Sequence, residues 1–417
     1  MKKIVVHGGR PLEGLAQIHG AKNSVLPILA ACVLNRSQCI LKNCPAISDV
    51  DTAVAILEHL GAKVEREGAT ISVEARQITR CSIPRHLMED MRSSVLFMGA
   101  LLGRCGAVEL TAPGGCALGE RPVDFHLYAM EQMGVLCTDD GDCIRCVSPL
   151  LKSCTIHLPL PSVGATENAI LAATGCMGCV TIENAAKEPE ILDLANFLRA
   201  MGGDVRGAGT DTIVIQGKQT LHTLVYTVMA DRIETITYLS AVALCQGDVF
   251  LEGGRLDTLL PVADALVESG CQLFQERRGV RIRAIGRRVP PQPIVTAPYP
   301  GFPTDGQPLL MAAMLKSVGT TEITETIFCQ RMCQVEPFTS MGVDIRCYGQ
   351  RALVRGVAKL HGATMEATDL RCGAALVVAS LGAEGQSTIT NVHYIQRGYQ
   401  DLVPQLHDLG VDITIYN

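Results

Sequence analysis

The sequence lacks the features that mark several common protein classes. No apolar run is long and uninterrupted enough to cross a bilayer, so we expect no membrane association. The formal net charge is −6, which argues against a nucleic-acid partner and leaves room only for a local basic pocket. Neither a GxGxxG fingerprint nor a phosphate-loop lysine motif occurs, so neither of those nucleotide-binding folds is indicated.

The sequence also lacks paired metal ligands. Its histidines are dispersed, with no two at ligand spacing. Two CxxC pairs, Cys143/Cys146 and Cys176/Cys179, are the remaining candidates for a four-cysteine zinc site. Cys143 and Cys146 lie in a strand-like run, however, where residues three apart point to opposite faces. We therefore expect neither a metal nor a cofactor.

The 18 cysteines are scattered and often lie in apolar runs, as Cys32, Cys245 and Cys372 do. The content of glycine, alanine and helix-forming residues is too high for a disulfide scaffold. We interpret most of these cysteines as small buried hydrophobic residues in a reducing cytosol, which predicts a cytoplasmic protein. Residues 1–9 are too short for a signal peptide and are predicted to form a first strand.

A chain of 417 residues exceeds one ordinary core, so two domains are expected. The strongest internal signal is a helix that ends at a glycine and is followed by a short strand, repeated six times. Each glycine is predicted to close its helix in the left-handed region. The six glycines are 68 to 73 residues apart and are Gly61, Gly134, Gly202, Gly270, Gly342 and Gly410.

Each repeat holds two helices of different character. One is amphipathic, as in residues 51–60, and the other is apolar nearly all round, as in residues 24–34. A helix that is apolar on every side must be buried on every side, so the pattern predicts an α/β fold with buried helices and outer sheets. Three repeats make each domain, with residues 22–229 in one and residues 1–21 plus 230–417 in the other. We expect the ligand to bind between two such domains.

One glycine-rich stretch, residues 113–122, carries the clearest chemistry. It reads Pro-Gly-Gly-Cys-Ala-Leu-Gly-Glu-Arg-Pro and contains Cys116 and Arg121. Glycines let the backbone approach a ligand closely, and a cation beside a cysteine favours the reactive thiolate. Residues 121–124 then begin an amphipathic helix, with Pro122 in a favoured first-turn position. The stretch therefore predicts a reactive thiol close to a helix N-terminus, where anions bind.

Eight motifs in order along the whole chain carry a family resemblance, and they lie at residues 20–23, 113–124, 161–168, 188–191, 231–234, 302–305, 368–371 and 397–399. Together they closely resemble the UDP-N-acetylglucosamine 1-carboxyvinyltransferases, a family of enolpyruvyl transferases. That family's fold consists of two inside-out α/β barrels of three repeats each, which agrees with the repeat pattern. The sister family, which acts on shikimate 3-phosphate, lacks the Pro-Gly-Gly-Cys stretch.

The resemblance implies transfer of the enolpyruvyl unit of phosphoenolpyruvate to the 3-hydroxyl of UDP-N-acetylglucosamine, with release of phosphate. In that family this is the first committed step of peptidoglycan precursor synthesis, and it runs by addition followed by elimination. The chemistry needs a general acid, a general base, and cations for phosphate and carboxylate. The resemblance assigns Cys116 as the acid and as the thiol that forms an adduct with phosphoenolpyruvate. It also implies that fosfomycin-type inhibitors alkylate Cys116.

Asp305, Lys22 and Arg397 complete the implied catalytic set. From the sequence alone, Asp305 is either the N-cap of an apolar helix or a base, and the resemblance makes it the base for the sugar hydroxyl. Lys22 precedes a wholly apolar helix, where an ammonium and the helix dipole both attract phosphate. The implied substrate-binding residues are Lys22, Asn23, Arg92, Arg121, Pro122, Val123, Asp124, Phe125, Ser162, Val163, Gly164, Asp305, Ile327, Arg331, Arg371 and Arg397.

The sequence departs from the family pattern in its C-terminal half, at Ile236, Cys329, Gln330, Gln396 and Gln400. The last two stand where acidic residues are common, which predicts a less neutralised cation at position 397. Three functions therefore stay open: transfer to the nucleotide sugar, transfer to shikimate 3-phosphate on the same fold, and binding of nucleotide sugar without catalysis. The intact acid, base and lysine favour catalysis over simple binding.

Overall fold

A computed structural model of the chain describes residues 2–111 and 123–416. These residues divide into two compact units. We name residues 20–111 with 123–229 the N-terminal unit, and residues 2–19 with 230–416 the C-terminal unit. Within the described residues, no helix has both the length and the apolarity that a membrane span requires.

The first two strands of the chain belong to the C-terminal unit. β1 (Lys3–His7) lies between two antiparallel partners from the end of the chain, with Ile4 opposite both Ile389 and Ile415. β2 (Leu12–Gln17) runs parallel to the strand Gly247–Glu252. The predicted N-terminal strand therefore lies inside a sheet that the last residues also help to build.

The N-terminal unit contains three four-stranded sheets in its described residues. Its strands are β3 (Gln38–Lys42), β4 (Lys63–Glu67), β5 (Thr70–Glu74), β6 (Ser82–Ile83), β7 (Ala107–Thr111), β8 (Leu136–Asp139), β9 (Cys143–Val147), β10 (Cys154–His157), β11 (Cys179–Glu183), β12 (Asp204–Arg206), β13 (Thr212–Gln216) and β14 (Leu224–Thr227). Its helices are α1 (Lys22–Ala31), α2 (Ser48–Leu60), α3 (Arg85–Asp90), α4 (Phe97–Cys105), α5 (Asp124–Gln132), α6 (Val163–Thr174) and α7 (Pro189–Ala200). In each sheet one parallel pair is followed by antiparallel pairs, in the orders β14–β3–β5–β4, β6–β7–β9–β8 and β10–β11–β13–β12.

The C-terminal unit repeats this plan with the same number of four-stranded sheets, β2–β15–β17–β16, β18–β19–β21–β20 and β23–β25–β1–β26, and adds the pair β22–β24. Its remaining strands are β15 (Gly247–Glu252), β16 (Cys271–Glu276), β17 (Gly279–Ala284), β18 (Ile294–Val295), β19 (Thr320–Thr324), β20 (Asp344–Tyr348), β21 (Arg351–Arg355), β22 (Leu360–His361), β23 (Thr364–Glu366), β24 (Ala383–Glu384), β25 (Gln386–Thr390) and β26 (Asp412–Tyr416). Its helices are α8 (Arg232–Cys245), α9 (Leu260–Glu268), α10 (Gln307–Ala313), α11 (Val335–Ser340), α12 (Leu370–Leu381), α13 (His393–Gln396) and α14 (Leu402–Asp408).

The six predicted helix-ending glycines confirm the repeat. Each adopts a positive φ, between 81° and 105°, where a residue with a Cβ would be strained. A second mark recurs just after three equivalent strands, where Asn43, Asn184 and Asn391 adopt φ of 59°, 54° and 56°. Asparagine tolerates this region best after glycine, so the same strand-to-helix turn is encoded in several repeats.

The helices predicted to be apolar all round form the centre of each unit. In α8 every residue from Arg232 to Leu244 is buried, α10 is buried along its whole length, and α12 is buried from Arg371 to Leu381. α1, α4 and α6 fill the same place in the N-terminal unit. Because apolar side chains occupy these helices, the polar residues of the predicted motifs lie at the helix N-termini.

Candidate active site

The predicted site residues fall in both units, and the tightest group lies in the C-terminal unit. Asp305 lies in the 3-10 turn Thr304–Gly306, directly before α10. Its Oδ1 accepts a hydrogen bond from Arg331 Nη2. Its Oδ2 accepts from Arg371 Nε at 3.0 Å and lies 2.9 Å from Arg371 Nη2. One carboxylate therefore lies between two guanidinium groups.

The exposures within this group are unequal. The Arg331 and Arg371 side chains are 1% and 5% exposed, whereas that of Asp305 is 26% exposed. Burial acts to lower the pKa of Arg371, but the nearby charges of Asp305, Tyr399 and Asp231 raise it above its usual value. Arg371 is therefore held as a buried cation, and the Asp305 carboxylate, which contacts both guanidinium groups, is the most exposed member of the group.

Glu325, which the sequence analysis did not identify, organises the loop that carries Arg331. It is 1% exposed and its Oε1 accepts from the backbone N–H groups of Ile327 at 2.8 Å and Phe328 at 3.1 Å. Its Oε2 accepts from Thr304 Oγ1 at 3.0 Å, next to Asp305. The Ile327 N–H thus points to Glu325, and one buried carboxylate fixes both the Asp305 turn and the start of the Arg331 loop.

The start of α8 and the turn after α13 supply further polar groups. Asp231 caps α8 by accepting from the N–H groups of Ile233 and Glu234 at 2.7 and 3.1 Å. Arg397 follows the last residue of α13. Two residues later, the Tyr399 hydroxyl lies 2.7 Å from Thr237 Oγ1 on α8. Burial raises the pKa of Tyr399 to about 12, so this hydroxyl stays protonated near neutral pH.

The contacts of three departures from the family pattern, Ile236, Cys329 and Gln400, are defined in the structure. Ile236 is fully buried in α8, and a Cβ built on Gly306 would lie 3.3 Å from its Cδ1. Gly306 follows Asp305, so the isoleucine packs against the backbone of the Asp305 turn. Cys329 is exposed, and its Sγ accepts from Gln350 Nε2 at 3.2 Å. Gln400 donates from Nε2 to Asp401 Oδ2 at 2.7 Å.

In the N-terminal unit, the predicted lysine forms a buried ion pair. Lys22 is the first residue of α1, followed by Asn23, and its Nζ lies 2.6 Å from Asp49 Oδ2 in the first turn of α2. The two side chains are 11% and 2% exposed. Asp49 was not identified from the sequence, because an aspartate in a first helical turn is an ordinary complement to the helix dipole.

The segments 123–125 and 162–164 lie at the starts of two helices that pack together, and His126 of the first helix contacts the second. Val123 precedes α5, which begins at Asp124. Ser162 caps α6 through its side-chain oxygen, which accepts from the Ala165 N–H. A Cβ at Gly164 would lie 3.0 Å from His126 Cε1, and His126 Nδ1 lies 2.7 Å from Asn168 Nδ2. The absence of a side chain at Gly164 therefore lets α6 and α5 approach closely.

A buried carboxyl group lies one turn further along α6. Glu167 is 4% exposed, and burial raises its pKa well above the ordinary value. The charges of Glu190 and Glu188 raise this pKa further. The motif residues 161–168 and 188–191 thus influence each other electrostatically.

Four predicted site residues remain, of which three lie in the segment that the structure does not describe. Cys116, Arg121 and Pro122 fall outside the described residues. Arg92 begins the 3-10 turn Arg92–Leu96, which leads into α4.

Comparisons with known proteins cover the whole chain. A family model for EPSP synthase (3-phosphoshikimate 1-carboxyvinyltransferase) matches residues 6–406. The chain is 45% identical over 414 residues to UDP-N-acetylglucosamine 1-carboxyvinyltransferase 2 of Caldanaerobacter subterraneus subsp. tengcongensis, with 99% of each chain covered. It is 42% identical over 421 residues to UDP-N-acetylglucosamine 1-carboxyvinyltransferase 1 of Staphylococcus aureus, with 100% of each chain covered.

Two solved structures share the fold. The enolpyruvyl transferase NikO from Streptomyces tendae matches with a TM-score of 0.90 at 28% identity, covering 99% of this chain and 98% of that one. EPSP synthase from Acinetobacter baumannii matches with a TM-score of 0.77 at 17% identity, covering all of both chains, and supports the fold alone. The predicted α/β fold with buried helices and outer sheets is therefore confirmed.

Proposed function

We infer that this chain transfers the enolpyruvyl group of phosphoenolpyruvate to the 3-hydroxyl of UDP-N-acetylglucosamine, because it belongs to the UDP-N-acetylglucosamine 1-carboxyvinyltransferases of the EPSP synthase family. The observation that carries this proposal is an identity of 42–45% with relatives of that name over the whole chain. We propose that the reaction releases phosphate and is the first committed step of peptidoglycan precursor synthesis.

The proposed reaction is an addition followed by an elimination. In the addition, the sugar 3-hydroxyl attacks carbon 2 of phosphoenolpyruvate while carbon 3 gains a proton. In the elimination, carbon 3 loses a proton and the phosphate departs from carbon 2, which restores the double bond. The enzyme therefore needs a base for the hydroxyl, an acid for carbon 3, and cations for the phosphate and carboxylate.

Asp305 is the proposed base. Its two oxygens contact two buried guanidinium groups, and a nearby opposite charge favours the ionised form of a carboxyl group, which is the form that accepts a proton. It is also the accessible member of the group, whereas Arg331 and Arg371 are buried. The N-cap position of α10 is Gly306, and Asp305 lies one residue before it, within the preceding 3-10 turn.

Cys116 is the proposed acid and the proposed site of the covalent adduct. The support comes from the sequence, in which glycines flank Cys116 and Arg121 follows it by five positions. Lys22, Arg121 and Arg397 are proposed to bind the phosphate and carboxylate of phosphoenolpyruvate. The N-terminus of α1 adds its dipole to the charge of Lys22.

The remaining substrate contacts are proposed from the family resemblance together with the local structure. The helix starts at residues 123–125 and 162–164 are proposed to bind the uridine and diphosphate, since helix N-termini suit anions. Asn23, Arg92, Pro122 and Ile327 are proposed to contact the substrates elsewhere. The family resemblance also assigns Arg331 and Arg371 to substrate binding, and because both are buried we propose that they act through the Asp305 carboxylate that they contact.

We further propose that the two units are the two enolpyruvyl transferase domains, and that the protein works in the cytoplasm. The cysteines in the described part of the chain are free thiols, which fits a reducing compartment. Activity recovered with the membrane or secreted fraction of disrupted cells, and missing from the cytosolic fraction, would contradict the location.

The decisive experiment measures phosphate release from phosphoenolpyruvate. We expect release with UDP-N-acetylglucosamine and none with shikimate 3-phosphate, and we expect Cys116→Ser to lose nearly all turnover while folding normally. Cys329→Ser is the matched control, because Cys329 is an exposed cysteine outside the proposed chemistry. Release with shikimate 3-phosphate alone would favour the sister activity, and release with neither acceptor would favour a non-catalytic binding protein.

A second experiment tests the thiol directly. We propose that a fosfomycin-type epoxide phosphonate alkylates Cys116, with the sulfur bonding to an epoxide carbon while its C–O bond breaks and the oxygen takes up a proton. The protein should gain the mass of one inhibitor, and Cys116→Ser should not. An unmodified mass after prolonged exposure with UDP-N-acetylglucosamine would contradict an activated thiol.

A further inference from the structure

Two cysteines and an aspartate converge in the C-terminal unit, close to the Asp305 group. The Sγ atoms of Cys333 and Cys372 and a carboxylate oxygen of Asp369 lie within 4.8 Å of one another. Among the described residues this is the one group of three such side chains with that spacing. Asp369 and Cys372 are buried, and Cys333 is half-buried.

The aspartate in this cluster has one oxygen committed and one directed at a thiol. Asp369 Oδ1 caps α12 by accepting from the N–H groups of Arg371 and Cys372 at 2.8 and 3.1 Å. Its Oδ2 accepts from Cys333 Sγ at 3.1 Å. The cap holds the carboxylate in place, so Oδ2 and the two sulfurs have fixed relative positions.

These three atoms match the preferences of zinc and similar soft divalent cations. Such ions take thiolate and carboxylate ligands at about 2.3 Å and about 2.0–2.2 Å, which places tetrahedral ligands roughly 3.5–4 Å apart. Cys333 Sγ lies 3.1 Å from Asp369 Oδ2, and all three ligand atoms lie within 4.8 Å of one another, so small side-chain rotations are sufficient. Cys333 is half-buried, so solvent reaches this side of the cluster. Zinc sites with three protein ligands take a water in the fourth position.

We propose that Cys333, Cys372 and Asp369 form a binding site for a soft divalent cation of the zinc class. Binding replaces the thiol protons, which pass to the buffer, so the cation is held by two thiolates and one carboxylate oxygen. The two CxxC pairs that stood out in the sequence are not part of this site.

The position of the site gives it a consequence for turnover. Cys333 lies two residues after Arg331, and Arg371 lies between Asp369 and Cys372, so the ligands and the two arginines that contact Asp305 share the same two chain segments. A cation that draws the three side chains together pulls on the two chain segments that carry both arginines. Turnover should therefore fall when the site fills, and this consequence alone rests on the proposed function.

The test counts bound metal on the full, reduced chain. Zn²⁺ is added against a chromophoric chelator, and the complexes are counted by native mass spectrometry. We expect Cys333→Ser and Asp369→Asn each to bind one Zn²⁺ fewer than the unsubstituted protein, with affinity for that ion reduced by about 100-fold or more, since losing even an outer partner costs about 10–100-fold. Asparagine is a good helix cap, so Asp369→Asn should keep α12 intact, as far-UV circular dichroism can verify.

Cys329→Ser serves as the matched control, since Cys329 is exposed and lies four residues before Cys333. It should bind as many Zn²⁺ ions as the unsubstituted protein. Equal stoichiometry and affinity in Cys333→Ser and the unsubstituted protein would overturn the proposal. So would a Cys333–Cys372 disulfide in the freshly purified protein, detected by peptide mass. Because the metal count does not depend on activity, its failure is distinct from failure of the proposed transferase function.

Discussion

Substitution of Asp305 tests two proposed roles of its carboxylate, as the partner of two buried arginines and as the general base. Asp305→Asn keeps the size of the side chain and removes its charge, which leaves Arg331 and Arg371 as cations without this carboxylate. Breaking a buried ion pair from one side costs about 3–5 kcal/mol. Asp305 is 26% exposed, so solvent screens part of the interaction and we expect the lower end, about 3 kcal/mol.

The same substitution should remove the proposed base. General base catalysis contributes about 10²–10⁴-fold, so turnover in the phosphate-release assay should fall by about that factor. Stability is measured by urea unfolding followed by far-UV circular dichroism, since the chain contains no tryptophan. Because the chain has two compact units, it need not unfold in a single two-state transition. The midpoint of the transition that shifts is therefore compared between the variant and the unsubstituted protein.

Two further variants separate the structural effect from the catalytic one. In Asp305→Asn combined with Arg331→Met, one of the two uncompensated cations is gone, so part of the lost stability should return while turnover stays low. Asp344→Asn is the control, because Asp344 forms an exposed pair with Arg346 at 3.5 Å and should cost at most about 1 kcal/mol. Turnover of Asp305→Asn within about threefold of the unsubstituted enzyme would refute the base assignment. A stability change below about 0.5 kcal/mol would refute the buried charge group.

Two further predictions concern the N-terminal unit. Asp49→Asn should lower the free energy of unfolding by about 3 kcal/mol, because it removes a buried carboxylate from Lys22. Asp51→Asn, in the same helical turn but 67% exposed, should change it by less than about 1 kcal/mol, and equal losses in the two variants would contradict the reasoning. Glu167 has a raised pKa in the folded state, so its contribution to stability is present below its unfolded pKa and is lost as the pH rises through the folded value. Glu167→Gln should therefore gain stability relative to the unsubstituted protein between pH 4 and pH 7 in urea titrations, and a constant difference across that range would contradict the assignment.

The repeat architecture could be predicted because its determinants are local. A glycine that ends a helix and a helix that is apolar all round are both visible in short windows of sequence. All six glycines adopt the positive φ that the pattern predicts. The helix that begins at Lys22 is buried from Ser24 to Ala31, as its composition required.

The side-chain partners within the site could not be predicted from the sequence, because they depend on contacts between residues that are far apart along the chain. Asp305 meets Arg331 and Arg371 across 26 and 66 residues of sequence. Glu325 directly follows a strand, and nothing in the surrounding sequence indicates its partners, yet its side chain accepts hydrogen bonds from the Ile327 N–H and from Thr304. Only the fold, which brings neighbouring repeats together, reveals these contacts.

Three of the departures from the family pattern leave the Asp305 charge group intact. Ile236 replaces a residue that is usually glycine, and in this chain it packs against Gly306, which has no Cβ to exclude it. The isoleucine therefore occupies space beside the Asp305 turn without displacing the carboxylate from its two arginines. Cys329 lies on the surface and Gln400 is bonded to Asp401, so neither alters that charge group. These three departures leave the ion pairs of the proposed base in place, which is why activity, rather than simple binding, is the expected outcome.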